Sequence, residues 1–178
     1  MGVGYLTGQG GGGSNIKSIQ RGTATLSATS QNVTISEVSP TKSIVRIGFK
    51  YQSDNTMVQA AQNFIGARIT NSTTVQLLLN TYASAQIDVY WEVIEFNNVK
   101  SIQTGVYNTS LASDSITIAN VNVSKCSVFH SCTSDNTTFQ ITPVMYPLNL
   151  FIANGTTITT KQFTGFDRTI YWQVIEFN

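Results

Sequence analysis

The chain has 178 residues, of which 41% are hydrophobic and 11% are charged, and its formal net charge is +1. Globular domains usually carry about 25% charged residues; here Ser, Thr and Asn take many polar positions instead, which favours strands over helices. So small a net charge gives no electrostatic attraction for nucleic acid or for an acidic membrane surface. We therefore expect a β protein whose partners include neither nucleic acid nor membrane.

The N-terminal region, residues 1–14, is rich in glycine and differs in composition from the rest of the chain. Such a segment loses too much backbone entropy to fold alone, so it predicts an extended arm. We expect the arm to become ordered by contact with a neighbouring chain and to anchor the protein to a partner. The expected anchor residues are the two sizeable apolar side chains and the glycine run: Tyr5, Leu6, Gly10, Gly11, Gly12 and Gly13.

The rest of the chain contains one unit twice. The segment NIKSIQ at residues 15–20 returns as NVKSIQ 83 positions later, and YWEVIEF at residues 90–96 returns as YWQVIEF 81 positions later. Repeats that keep their phase with slips of about two residues share a fold and absorb the slips in loops. The sequence predicts two domains, residues 15–97 and residues 98–178.

Both copies alternate polar and apolar residues with a period of two, the pattern of half-buried antiparallel strands. Clusters of Ser, Asp and Asn between these segments suit turns. Strands are predicted in the first copy at residues 23–26, 32–35, 44–49, 64–70, 74–80 and 86–96, and in the second at 115–121, 127–131, 139–144, 148–153, 157–162 and 169–177. The predicted fold class is therefore all-β, with two tandem small antiparallel β-sandwich domains preceded by the Gly-rich arm.

The closing strand of each copy carries apolar residues on both faces. Such a strand either lies at the centre of one sandwich or belongs to a sheet whose outer face meets another subunit. Glu95 and Glu176 fall on the inward face, where an unpaired carboxylate would be costly. We expect each to accept a hydrogen bond from a backbone amide or to pair with Lys17 and Lys100, or with Arg68.

Cys126, His130 and Cys132 lie close together in the second copy. On one straight strand the two cysteines would be about 20 Å apart, too far for a disulfide between them. A zinc site lacks a fourth ligand, so we favour free, partly buried thiols over a metal site or an intermolecular disulfide. No set of residues closes a catalytic triad or dyad, and we expect no enzymatic activity, no metal and no cofactor.

Three phrases carry a resemblance to known proteins: IKSIQRG from Ile16, NSTTV from Asn71 and WEVIEF from Trp91. Together they resemble a small β module found in virion proteins of tailed bacteriophages. The closing strand is also similar, more weakly, to that of H-type lectins, which are six-stranded sandwiches that form trimers and bind carbohydrate between subunits.

The phage resemblance implies a protein made in the host cytoplasm and carried on the virion, on the head surface as a capsid decoration or cement protein. Its implied partners are the major capsid protein or another virion protein, and further copies of itself in a homotrimer. The alternative is a tail-fibre or tail-tip adhesin that binds cell-surface glycan. In that case the distal contact surface would include Tyr146, Phe163 and Phe166.

Overall fold

The computed structural model describes residues 15–51, 64–79, 87–134, 148–162 and 167–178. The first copy, called repeat 1 below, has the strands β1 (Ile16–Leu26), β2 (Ser30–Thr34), β3 (Ser43–Tyr51), β4 (Ile65–Asn71), β5 (Thr74–Leu79) and β6 (Ile87–Phe96). The second copy, repeat 2, has β7 (Val99–Thr109), β8 (Ser113–Thr117), β9 (Cys126–Ser134), β10 (Asn149–Asn154), β11 (Thr157–Lys161) and β12 (Arg168–Phe177). Short 3₁₀ turns at Pro40–Lys42 and Val123–Lys125 precede β3 and β9.

Each repeat consists of two three-stranded antiparallel sheets. In repeat 1, β6 lies between β1 and β3, and β5 lies between β2 and β4. In repeat 2, β12 lies between β7 and β9, and β11 lies between β8 and β10. The predicted all-β class with tandem antiparallel sandwiches is confirmed.

The apolar residues of both sheets in a repeat meet in one core, as the period-two pattern requires. In repeat 1, Leu77 of one sheet and Val89 of the other are completely buried in the same cluster. In repeat 2, Ile158 and Val174 occupy the corresponding core. The core face of β6 and β12 is the face that also carries Glu95 and Glu176, as the sequence predicts.

A glycine opposite a tryptophan recurs in both repeats. Gly22 on β1 pairs with Trp91 on β6, and Gly105 on β7 pairs with Trp172 on β12. The indole ring lies over the glycine in each case, and a Cβ built on Gly105 would be 2.5 Å from the Trp172 ring. The absent side chain therefore makes room for the largest aromatic residue of the core.

Two strands differ most from the sequence-based assignment. β1 begins at Ile16 rather than at residue 23, and β7 was not predicted at all. Both strands continue after their first residue with Lys, Ser, Ile and Gln, so polar and apolar residues do not alternate regularly there, and pairing with the central strands β6 and β12 holds them in the sheet. The strand predicted at residues 139–144 lies outside the described residues.

Candidate interaction surfaces

Each repeat buries one carboxylate beside its 3₁₀ turn. In repeat 1, Glu95 Oε1 accepts hydrogen bonds from the Ser39 N–H and from Lys17 Nζ, both at 3.0 Å, and Oε2 accepts one from Ser18 Oγ at 3.3 Å. Burial alone would raise the pKa of Glu95, but the Ser39 amide, Lys17 and Ser18 together lower it below the ordinary 4.5. As an anion, Glu95 therefore binds the loop before β3, through Ser39, to the β1–β6–β3 sheet.

Glu176 repeats this arrangement in repeat 2. It accepts hydrogen bonds from the Asn122 N–H at 2.8 Å, from Lys100 Nζ at 2.8 Å and from Ser101 Oγ at 3.4 Å. The Lys100 bond, followed by the Asn122 amide, lowers the pKa of this carboxyl as well. The expectation that Glu95 and Glu176 accept from a backbone amide and pair with lysine is confirmed.

Repeat 1 presents the edges of its two sheets, β3 and β4, to the outer face of the β7–β12–β9 sheet of repeat 2. The Gln173 side chain on β12 satisfies both backbone groups of Val45 on the β3 edge. Its Oε1 accepts from the Val45 N–H and its Nε2 donates to the Val45 C=O, both at 2.8 Å. Gln173 is only 6% exposed, so this amide replaces a neighbouring strand at a buried edge.

A serine performs the same task on the other sheet edge. Ser131 Oγ on β9 accepts from the Ala67 N–H at 2.8 Å and donates to the Ala67 C=O at 3.4 Å on β4. Because buried backbone groups need partners, these two side chains allow the edges of repeat 1 to lie against another sheet without losing hydrogen bonds.

Aromatic contacts surround these bonds. The Tyr171 ring lies so close to Gly66 that any side chain there would clash, and the Arg68 guanidinium lies 5.9 Å from the centroid of the same ring. Arg68 thus contacts Tyr171, and of the expected partners of Glu95 and Glu176 the lysines, not Arg68, form the ion pairs. At the margin of the junction, the Arg168 guanidinium lies 4.3 Å from the Phe64 ring centroid.

A third apolar cluster joins the two repeats near the chain connection between them. Phe96 and Phe177 meet edge to face with their centroids 6.1 Å apart. The cluster contains Ile44, Phe96 and Ile175 as buried members, with Ile94, Val99, Ile102, Phe129 and Phe177 packed against them. Both closing strands are therefore central in their sheets and are also covered, in part, on their outer faces by the other repeat.

The outer face of the β1–β6–β3 sheet, which we call the open face, is the counterpart in repeat 1 of the sheet face used in the junction. Glu92 lies at its centre and pairs with Arg21 at 2.5 Å and with Arg46 at 3.5 Å. Tyr90 beside it is 49% exposed. A shallow hollow of about 520 Å³ spans this face, lined by Arg21, Gly22, Thr23, Arg46, Ile47, Gly48, Tyr90, Trp91 and Glu92.

The cysteine and histidine group does not assemble as a site. Both thiols are free, and burial raises the pKa of Cys132 to about 11, so it is protonated at neutral pH. His130 Nε2 is hydrogen-bonded to the Leu148 carbonyl oxygen at 3.0 Å. Within the described ranges, no group of three His, Cys, Asp or Glu residues could hold a metal ion.

The other sequence-based site residues lie outside the described residues: Tyr5, Leu6, Gly10, Gly11, Gly12 and Gly13 of the arm, and Tyr146, Phe163 and Phe166 of repeat 2. Sequence reasoning also missed Gln173 and Ser131, the two residues that bind the strand edges. Their signal was a difference between the copies, since Glu92 and Gly48 occupy the corresponding positions of repeat 1.

In the part of the chain that the structure describes, no helix has the length and apolar character needed to cross a membrane. Comparison with protein families, curated proteins and solved structures finds no match for this chain.

Proposed function

We propose that this chain is a structural protein of a tailed-phage particle, carried on the head surface as a decoration or cement protein. The observation that supports it best is the junction of the two sandwiches, in which Gln173 and Ser131 bind the strand edges of repeat 1. A duplicated framework joined in this way fixes the relative position of two outer surfaces. The protein would contribute to the particle through the fixed geometry of these surfaces and through its copy number.

The proposed mechanism is stabilisation by mass action. A protein that binds only the assembled lattice lowers the free energy of that lattice. The arm, residues 1–14, supplies one contact and the sandwiches supply others, so that several weak contacts act together as avidity. The proposed partners are the major capsid protein or another virion protein, and the proposed assembly is a homotrimer.

Deletion of residues 2–14 tests the anchor role of the arm. We expect the truncated chain to keep its thermal midpoint, because the described sandwiches do not include these residues, and to lose association with phage particles in co-sedimentation. A full-length variant with Tyr5→Ala and Leu6→Ala preserves arm length and should lose binding as well. Particle binding by the truncation equal to that of the full chain would refute the anchor role.

Immunogold labelling of intact particles separates the proposal from the adhesin alternative. Head labelling with hundreds of copies is the result expected for decoration. A few copies at the tail, together with binding of the purified protein to host cells, would replace the decoration proposal with the adhesin. The glycan contacts predicted for that case, Tyr146, Phe163 and Phe166, would then be the residues to substitute.

A further inference from the structure

The junction between the repeats uses two different surfaces, the strand edges of repeat 1 and the sheet face of repeat 2. A contact of this kind can be repeated by a further unit, whereas a contact between identical surfaces is complete with two. Each surface has a counterpart elsewhere in the chain that the junction does not use. These counterparts are the open face of repeat 1 and the β9 and β10 edges of repeat 2.

We propose that a second copy of this chain binds there, so that the β9 and β10 edges of one copy lie on the open face of the next. The backbone positions correspond: Val128 on β9 is aligned with Val174 of the central strand, as Val45 on β3 is aligned with Val93. The outer edge of β9 therefore presents the same register that Gln173 recognises in repeat 1.

Exposed apolar side chains support this choice of partner. Tyr90 corresponds to Tyr171, and Phe151 on β10 corresponds to Arg68, which lies over the Tyr171 ring. Tyr171 is 7% exposed inside the junction, whereas Tyr90 is 49% and Phe151 is 40% exposed. The proposed contact places Phe151 on Tyr90, so two exposed aromatic rings cover each other.

The 3₁₀ turn of repeat 2 also has a position that matches a junction residue of repeat 1. Pro40 of the first turn lines the hollow over Gly105 and Val106 in the junction. Its counterpart in the second turn is Val123, which is 47% exposed. The proposed contact places Val123 over β1 of the next copy at Gly22, where the open hollow lies.

One polar difference makes the proposed contact more salt-sensitive than the junction. Glu92 stands where repeat 2 has Gln173, and a carboxylate can accept from the Val128 N–H but cannot donate to its C=O. Arg46, already paired with Glu92, supplies a donor for that carbonyl. Because the arginine side chains are exposed, added salt weakens the contribution of these charges.

The association does not depend on the phage proposal and is measured on the purified full-length protein. Depending on the rotation between units, the contact closes into a ring or continues as a filament. Three chains in a ring would present six repeats, in agreement with the predicted homotrimer.

The test is sedimentation velocity of the native chain beside Gly48→Arg and Gly48→Ala. A Cβ on Gly48 meets no atom within 4 Å, so both variants should keep the native circular dichroism spectrum, and Gly48→Ala should unfold at or slightly above the native thermal midpoint. We expect oligomers for the native chain and for Gly48→Ala, monomers for Gly48→Arg, and more monomer at high salt. A monomeric native chain, or oligomers of Gly48→Arg equal to the native ones, would overturn the proposal.

Disulfide trapping identifies the surfaces directly. One chain carries Tyr90→Cys and the other carries Phe151→Cys, and the two are mixed under mild oxidation; each variant alone and the native chain serve as controls for the native thiols. The expected result is a covalent dimer in the mixture and only background in the controls. Equal crosslinking of either variant with itself would show a contact between identical surfaces and would overturn the head-to-tail arrangement.

Discussion

Replacing Gln173 by glutamate tests the junction with the smallest possible change of shape. The Gln173 amide donates to the Val45 C=O and accepts from the Val45 N–H. A carboxylate keeps the acceptor, loses the donor and brings a negative charge next to a buried carbonyl oxygen. Gln173→Glu should therefore destabilise the protein through the junction, with little effect on either sandwich core.

The magnitude follows from the 6% exposure of Gln173. One buried group left without its hydrogen bond costs about 1–3 kcal/mol, and an uncompensated buried charge raises the cost to about 3–5 kcal/mol. For a chain of this length, about 3 kcal/mol corresponds to a thermal midpoint lower by about 6 °C or more. Urea unfolding measures the free-energy loss, and differential scanning calorimetry measures the midpoint.

Glu92→Gln is the matched control, since it makes the reverse exchange at the corresponding position of repeat 1. Glu92 pairs with the exposed side chains of Arg21 and Arg46, so its loss should cost about 0–1 kcal/mol. Acid gives a second check, because the carboxyl introduced at position 173 can donate to the Val45 C=O once it is protonated. The deficit relative to the native chain at the same pH should therefore shrink as pH falls. The reasoning fails if Gln173→Glu costs no more than Glu92→Gln.

Three further predictions concern the repeats themselves. Because the pKa of Glu95 is lowered in the folded state, the stabilisation that its carboxylate contributes is present above pH 4.5 and is lost as pH falls through the lower folded-state value. Urea unfolding across this range should show that the free energy of unfolding depends less on pH in Glu95→Gln than in the exposed control Glu37→Gln. Gly22→Ala should lower stability by about 1–3 kcal/mol, because the added methyl group overlaps the indole ring of Trp91. Gly48→Ala, whose added methyl group meets open space, should leave stability unchanged or raise it by up to about 1 kcal/mol. Thermal unfolding distinguishes the two variants, and equal losses would contradict the packing argument. Cys132, with a pKa of about 11, should react with iodoacetamide at pH 7.5 far more slowly in the native protein than in urea, as followed by mass spectrometry; equal rates would contradict its burial.

The sequence predicts the sandwiches well because their cores follow local rules. Alternation along β6 and β12 identifies the buried face, and the recurrence of the closing phrase identifies two units. Glu95 and Glu176 were also found from the sequence, since a carboxylate on an inward face requires donors and the nearest lysines recur with it.

The junction is harder to predict because it depends on which strands lie at sheet edges and how one sandwich is oriented on the other. Gln173 is an ordinary polar residue in a strand, and only the folded arrangement shows that it reaches Val45, far away along the chain. Strand β7, which pairs with β12, is hard to predict for a related reason. A strand that is held by pairing with β12 needs little hydrophobic pattern of its own.

The coverage of the β3 and β4 edges has a consequence for folding. A separate copy of repeat 1 would leave these backbone rows open to pairing with any nearby strand, a common route to aggregation. Covalent linkage holds the capping surface of repeat 2 at an effective concentration of about millimolar, well above what dilute separate chains would reach. The tandem arrangement thus allows repeat 2 to cover the β3 and β4 edges of the same polypeptide before strands of other chains pair with them.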